Sequence, residues 1–170
     1  MRWMWIDSII AFEPRHKLVA IKNVSMAEEH LHDHFEAENG LAADPVMPTS
    51  LILEGMAQTA GILVGSVNDF REKVVLAKVT NATISADVRP GQTIRYTATI
   101  DRIDPMGAST TGVVSRFDHA ESAWSDIGTV ELIFSHLDQN MGGMAFPEEN
   151  FVFGENFRTI LAAAGFGRFQ

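Results

Sequence analysis

Residues 47 to 68, MPTSLILEGMAQTAGILVGSVN, restrict the fold of this chain more than any other stretch. Leu51, Ile52, Leu53, Met56, Ala57, Ala60, Ile62, Leu63, Val64 and Val67 leave almost no sector of a helix without an apolar side chain, and a helix apolar all round is a buried one. Pro48, with Thr49 and Ser50 as candidate N-caps, marks its start, and Gly65, Asn68 and Asp69 loosen its end. The run is too short and too interrupted to cross a membrane. A single carboxylate, Glu54, sits about one turn inside it, and a carboxylate on a buried helix is costly unless something pairs with it or uses it.

The 170 residues, 46% hydrophobic and 21% charged, suit one soluble domain with a substantial core. A formal net charge of -9 with scattered Lys and Arg argues against nucleic acid or an anionic membrane as the main partner. No cysteine is present, which removes disulfides, thiolate nucleophiles and Cys-ligated zinc and fits a cytoplasmic protein. The opening MRWMWIDSIIAF is broken by Asp7 and lacks a cleavage-site pattern, so residues 3 to 12 read as a first strand rather than a signal peptide.

A turn at Glu13-Pro14-Arg15 and the alternating HKLVAIKNVS complete an expected hairpin. Residues 26 to 45, acid- and histidine-rich, read as a surface loop with at most a helical turn. After the central helix come VVLAKVTNATISADV, TIRYTATIDRI, STTGVVSRF and AWSDIGTVELIFSHL, separated by the Arg89-Pro90-Gly91, Asp104-Pro105-Met106-Gly107 and His119-Ala120-Glu121-Ser122 turns. Two strands, a buried helix and about four antiparallel strands in a continued meander make an α+β fold, one long helix wrapped by a curved sheet. One sheet cannot enclose a helix completely, so the expectation is a homodimer that closes the open side or a free edge. Residues 1–137 form the expected domain, and 138–170 an extension docked on it or on its dimer partner. Phe146, Phe151, Phe153, Phe157, Phe166 and Phe169 crowd into that extension; they fit either packing or a lid over a ligand tunnel.

His30, His32 and His34 with Asp33 form HLHDH, in which an extended segment puts the three histidines on one side and a helix stacks His30 on His34. Either arrangement could hold a divalent metal, and the run resembles a metallo-hydrolase HxHxDH signature shortened by one residue. No further coherent ligand set follows downstream, so the expectation is no metal and no cofactor.

His34-Phe35, then Pro45-Val46-Met47-Pro48, then LILEGMAQ from Leu51 to Gln58, resemble the 3-hydroxyacyl-[acyl-carrier-protein] dehydratases of the FabZ/FabA type, with their His-Phe pair, PxMPG-like turn and LILEAMAQ-like helix start. IDSIIAFEP, AIKNVS and NATISADVRPGQTI are similar to that family's opening strand, second strand and the strand before its Pro-Gly turn. The resemblance, over roughly residues 3 to 136, implies the hot-dog fold, a dimer or an assembly of dimers, and a site shared by two subunits. Asp33 stands where the family has Gly before the His, Thr49 where it has Gly after the MP pair, and residues 36–44 hold an apparent insertion of about six.

What the resemblance implies for chemistry is removal of water from a 3-hydroxyacyl thioester to give the trans-2-enoyl thioester, with His34 as base and Glu54 as acid. Phe35, Thr49, Ser50 and Gln58 are the expected substrate-side residues; backbone N–H groups around Thr49 and Ser50 are polarised to stabilise an enolate oxygen. The Gln58 side chain either satisfies Glu54 or orients it. The carrier is acyl carrier protein or coenzyme A, and an acidic carrier needs a basic surface, for which Arg71, Lys73, Lys78 and Arg89 are candidates. A hot-dog acyl thioesterase and a non-catalytic acyl-thioester-binding module remain the alternatives.

Overall fold

The computed structural model describes residues 3–33, 37–137 and 153–165. In chain order the elements are β1 (Ser8–Glu13), β2 (Lys17–Asn23), a short helix α1 (Glu29–Asp33), the central helix α2 (Thr49–Ser66), β3 (Val74–Ile84), β4 (Gln92–Asp104), β5 (Gly107–Asp118), β6 (Ala123–His136) and α3 (Glu155–Ala163). All six strands join one antiparallel sheet in the order β1-β2-β4-β5-β6-β3. Helix α2 touches every strand from β2 to β6, so the sheet curves around it.

Period-two alternation decides which face of the sheet meets the helix. On β4, Ile94, Tyr96 and Ala98 are all fully buried, while Arg95, Thr97 and Thr99 between them are partly exposed. Close approach is set by two glycines. A Cβ at Gly55 of α2 would overlap the ring and hydroxyl of Tyr96, and one at Gly112 of β5 would overlap the Met56 side chain. Helix backbone therefore lies directly on the Tyr96 ring, and Met56 fills the space above β5.

Two features differ from the sequence expectation. The first strand begins at Ser8, not residue 3; residues before it run along α2, where the Gln58 side chain takes the Trp5 N–H that a strand partner would otherwise accept. The meander is interrupted, because β3 pairs with β6 and not with β4. Residues 85 to 91 make that crossing, tied by Ser85 N–H to Ile127 O, Met47 N–H to Val88 O and Gly91 N–H to Val24 O. Turn chemistry at Arg89-Pro90-Gly91 marks a reversal but carries no information on which strand lies beside which. Among the described strands β3 keeps one side unpaired and is exposed at nearly every position, with Leu76 and Val79 each 42% exposed.

Of the tail, α3 packs on β1, with Leu161 fully buried. Just ahead of it Phe153, 6% exposed, meets Phe70 edge-on at 4.9 Å and covers Gly65 at the end of α2. Phe146, Phe151, Phe166 and Phe169, and with them most of the lid reading, lie outside the described residues.

Candidate active site

The start of α2 carries the groups that the sequence singles out. Pro48 is the N-cap, and no side chain caps the helix, so Thr49 and Ser50 are not the N-caps expected of them. Both are exposed residues of the first turn. Leu51 and Ile52 donate to Pro48 O, whereas the N–H groups of Thr49 and Ser50 reach no acceptor among the described residues. Two polarised donors thus remain available at the positive end of an 18-residue helix.

One turn further on, Glu54 is half-buried, and among the described residues it is held by neutral donors, with no Lys or Arg paired to it. Trp3 Nε1–H donates to Glu54 Oε1 at 3.0 Å, and Gln58 Nε2–H donates to the same oxygen at 3.0 Å. Gln58 is 7% exposed and also bonds the N-terminal segment: its Nε2–H donates to Trp3 O at 3.2 Å and its Oε1 accepts Trp5 N–H at 2.9 Å. With an acceptor needed by Trp5 and donors needed by Trp3 O and Glu54, the amide has one orientation that fits. The i to i+4 bond that its spacing allows is thus made, and the same amide ties the N-terminal segment to the helix.

Beneath this point Tyr96 is fully buried and its hydroxyl has no hydrogen-bond partner among the described residues. Burial pushes its phenol well above the ordinary range, so it stays protonated. Tyr96 stands out in the sequence only as one inward position of an alternating strand; the glycine at position 55 that makes room for it was the available signal.

The histidine run begins on α1. His30 Nε2 lies 3.3 Å from Glu28 Oε2 and 3.4 Å from Met47 Sδ, and its ring packs edge-on against Trp5 at 5.0 Å. Glu28 also pairs with Lys22, a lysine 7% exposed that reaches Asp7 as well. His30 is thereby built into the wall behind α1. His34 and Phe35 lie outside the described residues, as does the side chain of His32. Among the described residues, no group of three or more His, Asp or Glu side chains gathers around a point that could take a metal ion.

The four candidate basic residues do not form one patch. Lys73 is buried, at 6% exposed, and Arg89 grips Asp44 through Nε and Nη2 at 3.2 and 3.0 Å and lies near Asp87. Arg71 sits 3.6 Å from Asp69, and Lys78 is exposed on β3. The grip on Asp44 ties the end of the insertion, residues 36–44, to the segment ahead of β4.

A curved antiparallel sheet sheathing one apolar helix, with a carboxyl near the helix start, defines a hot-dog protein. Solved structures agree on the fold: the dehydratase heterocomplex ApeI:P from Xenorhabdus doucetiae aligns over 79% of this chain and 83% of that one at TM-score 0.59 and 15% identity. An acyl-CoA hydrolase from Staphylococcus aureus aligns over 72% of this chain and 66% of its own at TM-score 0.53 and 14% identity. In sequence, the FabA-like domain matches residues 2–118. The FabZ 3-hydroxyacyl-[acyl-carrier-protein] dehydratase of Ruminiclostridium cellulolyticum is 32% identical over 126 residues, which cover 74% of this chain and 84% of that protein. The one from Rickettsia bellii is 35% identical over 102 residues, 59% of this chain and 66% of that protein, just under two thirds of its length. The chain belongs to the FabA-like family, that of the FabZ/FabA-type dehydratases, which are hydro-lyases.

Proposed function

We propose that the protein removes water from a 3-hydroxyacyl thioester, carried on acyl carrier protein or coenzyme A, to give the trans-2-enoyl thioester. His34 takes the proton from the carbon next to the thioester carbonyl; as the carbon–oxygen bond at the next carbon breaks, Glu54 gives its carboxyl proton to the departing hydroxyl, which leaves as water. The negative charge that builds on the thioester oxygen is met by the free N–H groups of Thr49 and Ser50. Phe35, next to the base in sequence, and Gln58, bonded to the acid, complete the assignment.

The observation that carries this reading is the Glu54 carboxyl: one oxygen is tied by two N–H donors, and the other takes no bond among the described residues. That leaves one carboxyl oxygen open towards a substrate, and no cation pairs with the group among the described residues. No helix among the described residues is long and apolar enough to cross a membrane, and the reading is of a cytoplasmic enzyme.

The enzyme acts as a homodimer in which His34 of one chain works with Glu54 of the other. Support comes from β3, an eleven-residue edge strand with unpaired backbone groups and exposed Leu76 and Val79, which offers itself to the same strand of a second copy. The deciding experiment supplies 3-hydroxyacyl and 2-enoyl thioesters on both carriers and follows product by mass and enoyl absorbance. Interconversion of the two is expected, with His34→Ala and Glu54→Gln each slowing it by about 10²–10⁴. Free acid with no enoyl product would mean a thioesterase, and binding without turnover an acyl-binding module.

A further inference from the structure

We infer that Trp3 is a positioning residue for Glu54: its indole N–H and the Gln58 amide together hold one carboxyl oxygen, so that the transferable proton sits on the other. The inference rests on the reading of Glu54 as the acid. Both donors converge on Oε1 at 3.0 Å, and Oε2 is left without a partner among the described residues. An indole N–H and an amide NH₂ can only donate, so Oε1 must act as the acceptor towards each. In a neutral carboxyl the hydroxyl oxygen is the poorer acceptor and must carry the proton, which places that proton on Oε2.

The terminal torsion of a glutamate is broad and roughly two-fold, so a carboxyl held by Gln58 alone exchanges its two oxygens readily. A second donor from a different direction blocks that exchange. It works only if Trp3 is itself held, and three contacts hold it. Its carbonyl accepts Gln58 Nε2–H at 3.2 Å, and its neighbour Trp5, 3% exposed, is pinned through its own N–H to Gln58 Oε1. The Trp3 and Trp5 rings meet edge to face at 5.5 Å. Trp3 is 58% exposed, an unusual exposure for so large an apolar side chain, and burial gives it little reason to be there. Because it is exposed, its bond adds little to folding stability, and its contribution is to the direction of proton transfer.

Two readouts test this, one of contact and one of role. The chain has three tryptophans, so ¹⁵N-labelled protein gives three indole N–H resonances, and Trp3→Phe identifies one of them. In Glu54→Gln and Glu54→Ala proteins the Trp3 resonance should move by more than those of Trp5 and Trp124. In the kinetic arm, Trp3→Phe should lower kcat for enoyl hydration about tenfold, the rate equivalent of one hydrogen bond, with KM within about twofold and the melting temperature unchanged. Trp3→His, which restores a ring N–H, should recover part of the loss. A Trp3→Phe enzyme with wild-type kcat, a Trp3 resonance indifferent to residue 54, or no recovery in Trp3→His would each overturn the inference. A wild-type protein inert towards both carriers overturns the dehydratase reading and this role with it, and shows itself before any variant is made.

Discussion

Glu54 is half-buried on an apolar helix, and among the described residues its carboxyl is bonded by Trp3 and Gln58 and paired with no cation. The Gln58 contribution is legible in sequence because four residues along a helix bring two side chains onto one face. Trp3 is not legible, since 51 residues separate it from Glu54 and only the path of the N-terminal segment along α2 joins them. The same division applies under the helix. LILEGMAQ identifies the helix, but that Gly55 exists to admit the Tyr96 ring is visible only once β4 is in place. Gly55→Ala forces a methyl group into that ring and should cost about 1–3 kcal/mol, read as a lower thermal or urea midpoint. Tyr96→Phe, which removes a buried hydroxyl that bonds to nothing, should leave stability unchanged or raise it by about 1 kcal/mol. A Gly55→Ala protein as stable as wild type would mean that helix and sheet stand further apart than described.

At the scale of elements, α2 is the best-determined part because its pattern is extreme: a segment apolar on every side has nowhere to go but the middle. The strands are legible as strands, from alternation and from the turns between them. Their order is not, because the pairing of β3 with β6 is a long-range choice made by how the sheet closes on the helix, and 85–91 carries no mark of it. The tail shows the same limit. Its Phe content fits docking and lid alike, and only the burial of Leu161 and Phe153 shows that part of it completes the core near β1 and the end of α2. Leu161→Ala should therefore cost about 2–5 kcal/mol, as expected for a fully buried leucine, measured by chemical denaturation. A loss of only a few tenths would mean that α3 merely lies on the surface.

For the whole molecule, the fold and the family agree with what the sequence resemblance implies, and a site divided between two chains is the claim on which the mechanism depends. In the proposed mechanism β3 is the edge through which two copies join, the start of α2 supplies the acid and the enolate donors, and His34 is the base. On the proposed reading each active site draws its two groups from different chains, so two inactive variants would repair each other: in a dimer of one His34→Ala chain and one Glu54→Gln chain, one site would carry both defects and the other none. The most direct measurement is the enoyl-thioester hydration rate of such mixed dimers, assembled by co-expression and purified through two different tags. About half the wild-type rate per dimer is expected, from variants that are separately almost inert. Mixed dimers no faster than either parent would place the imidazole and the carboxyl on the same chain, or show that they do not act together, and would contradict it.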